Sequence, residues 1–170
     1  MRIQRLVFEF GGAAVAIECD ESVGDGILAF LFRHVSRGSS SPPQTTYFIT
    51  AIDRSNRLAL YRGGRLIYAG TRPGVLAERL IGDVCHHLAA DSDGGLLLHA
   101  AAVRWDQRGV ILPGGMGAGK STVVGWLASR GAAYVTDELV FVPRGLDSVQ
   151  GFPRPLNLKS PSAELLDEAL

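Results

Sequence analysis

A glycine-rich octapeptide in the second half of the chain constrains its fold more than any other feature. Residues 114–121 read Gly-Gly-Met-Gly-Ala-Gly-Lys-Ser and fit the pattern G-x-x-x-x-G-K-[ST]. Glycines permit left-handed backbone angles, so successive amide N–H groups can point inward around a phosphate. A helix that begins near Lys120 would add its positive N-terminal end to the same site. The sequence therefore predicts a phosphate-binding loop, or P-loop.

The surroundings of the motif agree with this interpretation, although a chance match in a glycine-rich turn is the alternative. Val110–Leu112 precedes the loop as a predicted strand, and Ser121–Leu127 follows it as a predicted helix. We expect the Lys120 ammonium to reach the β- and γ-phosphates of ATP, and the Ser121 hydroxyl to bind Mg²⁺. The predicted nucleotide-binding residues are Gly114, Gly115, Met116, Gly117, Ala118, Gly119, Lys120, Ser121 and Thr122.

Two adjacent acids follow the next predicted strand. Tyr134–Glu138 reads Tyr-Val-Thr-Asp-Glu, which places Asp137 and Glu138 after a short apolar run, at the edge expected to face the loop. A carboxylate there can hold Mg²⁺ through water or accept the proton of an attacking hydroxyl. Ordinary surface acids on a solvated turn are the alternative.

Three further candidates depend on weaker patterns. His99 lies in the apolar run Leu96–Val103, where a hydrogen-bonded core histidine is the usual interpretation. Arg154 and Lys159 belong to the proline-framed segment Gly151–Lys159 and are candidate contacts for an anionic substrate. A solvated loop is equally compatible with that segment.

Composition excludes several classes of protein. Lys+Arg and Asp+Glu both number 17, so no global field recruits nucleic acid or an anionic membrane. The apolar runs fall well short of the roughly 18 residues that a membrane span needs. Two cysteines are too few for a disulfide framework, and no signal region is recognisable at the N-terminus. We therefore expect a cytoplasmic protein.

The chain divides at the polar, turn-prone segment Asp91–Gly95. Residues 1–90 predict a smaller, strand-rich α+β portion with a hairpin over residues 5–18, helices at about Val23–Val35 and Gly74–Ala89, and three strands, Tyr47–Ile52, Leu58–Tyr61 and Arg65–Ala69. Residues 91–170 predict an α/β core, in which strand, phosphate loop, helix and strand follow one another. Its predicted elements are a strand at Leu96–Trp105, a turn at Asp106–Gly109, a helix at about Lys120–Arg130 and strands through Tyr134–Val142.

The order of the candidate residues resembles the catalytic core of the HPr kinase/phosphorylase family. That family has a histidine, a P-loop and a Val-x-Asp-Asp sequence, and His99, Gly119-Lys120-Ser121 and Val135–Glu138 stand in the same order at similar spacings. The resemblance covers roughly Leu96–Val142. It implies a nucleotide domain of the phosphoenolpyruvate carboxykinase type, with His99 and Glu138 close to Lys120 on strands that flank the strand before the loop.

The resemblance also implies an activity. It makes His99 and Lys120 active-site residues, Ser121 a magnesium ligand and Glu138 the general base. Asp137, from its position beside Glu138, is a candidate catalytic residue and metal ligand. The implied reaction moves the γ-phosphoryl group of ATP to a hydroxyl, such as serine of a peptide or small protein. Phe152–Pro155 looks like a segment of related kinases that accompany peptide-modification gene clusters.

The chain departs from the family pattern in three places. Glu138 stands where the family has a second aspartate, and the acid inside the family's P-loop is replaced around Gly115-Met116, which puts the reverse phosphorylase reaction in question. The family's later glutamate has no recognisable counterpart before Leu170, so a fragment, a short member and a homo-oligomer completed by a neighbouring copy are all compatible. The alternative functions are a non-catalytic ATP-binding regulatory module and a P-loop NTPase that hydrolyses ATP.

Overall fold

The structure is a computed structural model that describes residues 3–52 and 56–158. Within these ranges the chain has a mixed α/β fold with two sheets and three helices, as the sequence predicts at this coarse level. The chain forms two compact units, Met1–Asp93 and Gly94–Leu170, and the division falls within the polar segment Asp91–Gly95. None of the helices in the described ranges is both long enough and apolar enough to cross a lipid bilayer.

The N-terminal unit is a five-stranded sheet in the order β1-β2-β3-β4-β5, with two helices. Its elements are β1 (Ile3–Phe10), β2 (Ala13–Asp20), α1 (Glu21–Phe32), β3 (Thr45–Ala51), β4 (Leu58–Arg62), β5 (Arg65–Gly70) and α2 (Pro73–Asp91). Strands β2 and β3 are parallel because α1 carries the chain across between them, whereas the other neighbours are antiparallel. Helix α2 buries one stripe at helical spacing, formed by Leu76, Leu80, Ile81, Val84, Cys85 and Leu88.

Helix α1 ends earlier than the sequence predicts. The predicted helix extends to Val35, but α1 stops at Phe32 and the Val35 amide donates to the Phe32 carbonyl in a turn at 3.1 Å. Val35 is nevertheless buried. An apolar residue at helical spacing therefore lies in the core without belonging to the helix, which is why the periodicity overestimates the length.

The C-terminal unit is a sheet in the order β10-β9-β6-β7, with β8 also paired to β6. Its elements are β6 (Gly95–Trp105), β7 (Arg108–Pro113), α3 (Lys120–Ser129), β8 (Ala133–Thr136), β9 (Leu139–Pro143) and β10 (Gln150–Gly151). The strand pairs among these elements are antiparallel. Strand β6 is therefore the centre of the sheet, because β7 lies on one side of it and β8 and β9 share the other.

The two faces of β6 bury different small side chains. Ala101 and Val103 pack with Val124 of α3, and Ala100 and Ala102 pack on the opposite face of the strand. Side chains alternate between the faces of a strand, so residue 99 shares the face of residues 101 and 103, which is the face that carries α3. The His99 side chain therefore lies on the face of β6 that carries α3 and the loop before it.

Two details of the sheet correct the predictions. The predicted turn Asp106–Gly109 is only two residues long, since Asp106 adopts a left-handed conformation with φ 52° and β7 already begins at Arg108. The strands on either side of the two acids pair with β6 and not with β7. The expectation that the strands of His99 and Glu138 flank the strand before the loop is right for His99, whose strand β6 pairs with β7. It is wrong for Glu138, because β9 pairs with β6 over Gly95–His99 and β8 pairs with β6 over Ala102–Arg104.

Candidate functional site

The glycine-rich loop (residues 114–119) connects the end of β7 to the start of α3. Gly117 and Gly119 have φ angles of 81° and 82°, a left-handed conformation that side chains other than glycine rarely adopt. Gly119 is the N-cap of α3, and its carbonyl accepts the first helical hydrogen bond from Val123 at 3.0 Å. Met116 is 94% exposed at the tip of the loop. The loop thus has the backbone conformation and the helix start that its sequence predicts for a phosphate site.

The Lys120 side chain folds back over this loop. Its ammonium donates to the carbonyls of Gly114 at 2.8 Å and Gly115 at 3.0 Å, and it lies 3.2 Å from Nε2 of His99. An ammonium can only donate, so Nε2 is the acceptor and the remaining imidazole proton is assigned to Nδ1. His99 therefore presents an N–H on its other side.

That other side of His99 meets Glu138. Nδ1 of His99 lies 3.4 Å from Oε1 of Glu138, and Arg154 donates from Nη1 to Oε2 of Glu138 at 2.8 Å. The side chains of His99 and Glu138 are 46% and 30% exposed, so a molecule from solvent can reach both. Lys120, His99 and Glu138 form a continuous row from the glycine-rich loop to an accessible carboxylate.

The neighbouring acid, Asp137, is in a different environment. Its side chain is 2% exposed, and it accepts from the Ser121 hydroxyl at 3.0 Å and from the Asn157 amide at 3.2 Å, both on Oδ2. On Oδ1 it faces the Tyr134 hydroxyl at 3.1 Å and Nε of Arg154 at 3.4 Å. Donors surround this carboxylate, and they compensate the cost of burying its charge.

Tyr134 supports Asp137 with a protonated hydroxyl. Burial raises the pKa of Tyr134 well above its ordinary value, and the negative charge of Asp137 raises it further. The hydroxyl also lies 2.9 Å from the Arg154 carbonyl, so its single proton has two acceptors available. The phenol is therefore a donor at any physiological pH.

The predicted site residues separate into three groups. Those that meet at the loop are His99, Lys120, Ser121, Asp137, Glu138 and Arg154. Thr122 follows them in the first turn of α3, and Lys159 lies outside the described residues.

Arg154 does not have the environment that the sequence predicts for a substrate contact. Its side chain is only 10% exposed, and the contacts of its guanidinium in the described chain are with two carboxylates of the same protein. Tyr134 and Asn157 were missed by the sequence reasoning. A tyrosine in a strand and the backbone N–H of a loop residue are too common to predict a site.

Ser121 and Asp137 fit a magnesium ion. A hydroxyl and a carboxylate are oxygen ligands of the kind that Mg²⁺ prefers, and the hydrogen bond of 3.0 Å from Oγ of Ser121 to Oδ2 of Asp137 holds the two oxygens side by side. Over residues 3–52 and 56–158, no group of three or more His, Cys, Asp and Glu side chains is arranged to hold a metal ion. Magnesium in nucleotide sites is usually held by one or two protein ligands together with substrate phosphates.

Comparisons with protein-family models, with curated proteins and with solved structures found no match to this chain.

Proposed function

We propose that the protein is an ATP-dependent kinase of the HPr kinase type, which transfers the γ-phosphoryl group to a hydroxyl such as serine of a peptide or small protein. The observation that carries the proposal is one juxtaposition. Lys120 of the glycine-rich loop contacts His99, which contacts the accessible acid Glu138, while Ser121 of the same loop contacts the buried acid Asp137. The residues proposed to bind the phosphate and the metal and to act as the base therefore lie together.

The glycine-rich loop and Lys120 would hold the nucleotide phosphates. In the structure the ammonium is satisfied by the carbonyls of Gly114 and Gly115, so a phosphate would replace these neutral acceptors with charged ones. The present bonds are already charge-assisted through the ammonium, and a phosphate adds the attraction between opposite charges, which favours the exchange. Lys120 would then offset the negative charge on the β- and γ-phosphates.

Ser121 and Asp137 would hold Mg²⁺, which when bound supplies positive charge to the phosphate oxygens during transfer. The donors around Asp137 keep its carboxylate in one orientation while Ser121 approaches from the start of α3. This side of the site serves binding of the nucleotide and has no proton to move.

Glu138 would act on the acceptor. The acceptor oxygen bonds to the γ-phosphorus while the bond from that phosphorus to the β–γ bridging oxygen breaks, and ADP leaves. The hydroxyl proton passes to Oε1 of Glu138, since Oε2 is occupied by Arg154. His99 contacts the same Oε1 through Nδ1 and orients the carboxylate toward Lys120 and the loop.

The test uses the purified chain with γ-labelled ATP, Mg²⁺ and a randomised library of serine-containing peptides. We expect label on peptide serine and stoichiometric ADP. Lys120→Ala should weaken Mg-ATP binding by about tenfold or more, because it removes the full positive charge from the loop. Arg130→Ala is the matched control, since this cation lies at the other end of α3 over the Trp126 ring at 5.4 Å.

Each other outcome has a distinct meaning. Release of inorganic phosphate with unlabelled peptides would identify an ATP-hydrolysing enzyme. Binding of ATP with neither product would identify a regulatory nucleotide-binding module. Absence of ATP binding, or identical binding by Lys120→Ala and the parent chain, would overturn the nucleotide site itself.

A further inference from the structure

Arg154 contacts both acids of the candidate site with one guanidinium. Nη1 donates to Oε2 of Glu138 at 2.8 Å, and Nε lies 3.4 Å from Oδ1 of Asp137. The two carboxylates belong to adjacent residues and repel each other unless a cation lies between them. The planar fork of arginine suits this position, because two nitrogens on one rigid plane can each face a different carboxylate.

The segment that carries Arg154 is anchored to the strands on either side of the acids. The Phe152 amide donates to the Leu139 carbonyl at 2.9 Å, and the Thr136 hydroxyl donates to the Phe152 carbonyl at 2.9 Å. Tyr134 adds its contact to the Arg154 carbonyl at 2.9 Å. The backbone on both sides of the acids therefore determines where the guanidinium lies.

Close packing and proline restrict this segment further. A Cβ at Gly151 would collide with Cγ1 of Val135 and would lie 2.9 Å from Cβ of Thr136, so only glycine allows this approach. Pro153 and Pro155 flank Arg154 and limit the backbone angles on both sides of it. An arginine that only lies on the surface would not need a backbone segment held this rigidly.

We infer that Arg154 is a positioning residue that orients Asp137 toward Ser121 and Glu138 toward His99, a role that rests on the proposed kinase function. It occupies Oε2 of Glu138 and leaves Oε1 for the acceptor, and it faces Oδ1 of Asp137 while Oδ2 meets Ser121. One side chain thus couples the metal side of the site to the acceptor side. This assignment replaces the prediction of a substrate contact.

The test compares Arg154→Lys and Arg154→Gln with the parent chain and with Arg130→Gln as a control for loss of an arginine elsewhere. Lysine keeps the charge but has a single nitrogen, so it can satisfy one carboxylate only. Misplacement of a catalytic group by about 1 Å can cost about 10²-fold, and we expect kcat to fall by about 10–100-fold in Arg154→Lys. At saturating Mg²⁺ the KM for ATP should remain close to that of the parent chain, and more Mg²⁺ should be needed for half-maximal rate.

Thermal unfolding of each variant is measured first, and the rates are compared at a temperature at which all variants are folded. Guanidinium at a sub-denaturing concentration should restore part of the rate to Arg154→Ala and none to Arg130→Ala, which a merely structural role would not produce. A kcat and Mg²⁺ requirement equal to those of the parent in Arg154→Lys would overturn the role while leaving the kinase function standing. A parent chain that neither binds ATP nor transfers phosphate would overturn the kinase function, and this role with it.

Discussion

The two units each bury a tyrosine against an aspartate, and both clusters include an arginine and a histidine. In the N-terminal unit the Tyr47 hydroxyl donates to Oδ2 of Asp83 at 2.8 Å. Arg62 donates from Nη1 to both oxygens of Asp83, at 2.9 and 3.0 Å, and Nδ1 of His87 lies 3.2 Å from the Tyr47 hydroxyl. The C-terminal unit has the corresponding pairs of tyrosine with aspartate and of arginine with aspartate.

The clusters differ in where their residues come from. Tyr47, Arg62, Asp83 and His87 lie inside β3, β4 and α2, and Asp83 and His87 are one helical turn apart. In the C-terminal cluster His99 and Tyr134 lie within β6 and β8, but the two acids lie in the turn between β8 and β9, Arg154 in an irregular segment after β10, and Ser121 at the start of α3. Residue types alone do not distinguish the two. Position at the ends of elements, beside a glycine-rich loop, makes the second a candidate site and leaves the first a contact between helix and sheet.

The largest contrast is expected at Glu138, because among the described residues the N-terminal cluster has no second acid in a corresponding position. Glu138→Gln should slow phosphoryl transfer by about 10²–10⁴-fold, because the amide keeps the shape of the side chain and cannot accept the proton. Binding of Mg-ATP should remain nearly intact and can be measured by calorimetry beside the rate. A parental rate in this variant would show that Glu138 is not the base, and Asp137 would then be the candidate.

The two aspartates provide the matched test of the comparison. Asp137→Asn should weaken Mg²⁺-dependent ATP binding, because metal ligation depends on the carboxylate charge. Asp83→Asn should leave ATP binding unchanged and lower the free energy of unfolding by about 1–3 kcal/mol, because it removes a charged acceptor of two donors. Calorimetric titration and urea denaturation of both variants separate these effects. Equal loss of ATP binding in the two variants would show that the contrast is wrong.

The two tyrosines should behave alike, because both act by donating a buried hydrogen. Burial raises the pKa of Tyr47 and of Tyr134 above the ordinary value, and the adjacent aspartate raises each further. The folded state therefore holds these protons more tightly, so stability is complete below about pH 10, the ordinary tyrosine pKa, and falls as pH rises beyond it. Tyr47→Phe and Tyr134→Phe should each cost about 0.5–1.5 kcal/mol near neutral pH.

Denaturant titrations at several pH values check the alkaline behaviour of these variants. Each phenylalanine variant should lose less stability than the parent chain above pH 10, because phenylalanine has no phenol proton to lose. If both variants lose stability with rising pH as steeply as the parent chain, the alkaline loss has another origin.

The smallest effect is expected at Glu9, whose contacts also lie outside the helices and strands, in the connection between α1 and β3, but have no glycine-rich loop among them. Oε2 of Glu9 accepts from the Ser40 hydroxyl at 2.7 Å, the Ser40 amide at 2.9 Å and the Ser39 hydroxyl at 2.9 Å. The Ser40 hydroxyl, followed by the Ser40 amide and the Ser39 hydroxyl, lowers the pKa of Glu9 below its ordinary value. The stabilisation is present above the ordinary glutamate pKa and is lost as the pH falls through the lower folded value.

Glu9→Gln should therefore cost less than about 1 kcal/mol at neutral pH and flatten the acid limb of the stability curve. Glu18→Gln is the control, because that carboxylate forms an exposed ion pair with Arg5 at 3.4 Å. A change of ATP binding in Glu9→Gln would show that position at element ends does not discriminate the two units in the way proposed here.

Local features of the site were predictable because they depend on neighbours along the chain. The left-handed glycines, the strand before the loop and the helix that begins at Lys120 all follow from the octapeptide and its flanks. The mixed α/β class follows from the same local patterns and is confirmed. The end of α1 and the turn after Trp105 differ from the predictions. Val35 is buried at helical spacing without belonging to the helix, and the left-handed conformation of Asp106 has no signal in the sequence pattern.

What the sequence by itself determined is the phosphate-loop motif and the order of the residues around it. The tertiary structure decided the partners of the acids. Arg154 and Glu138 are 16 residues apart, and Asn157 and Asp137 are 20 residues apart. These pairs meet because β9 and β8 pair with successive stretches of β6, and because Gly151 permits the following segment to approach β8. Strand register depends on long-range packing, and a pattern of neighbouring residues does not specify it.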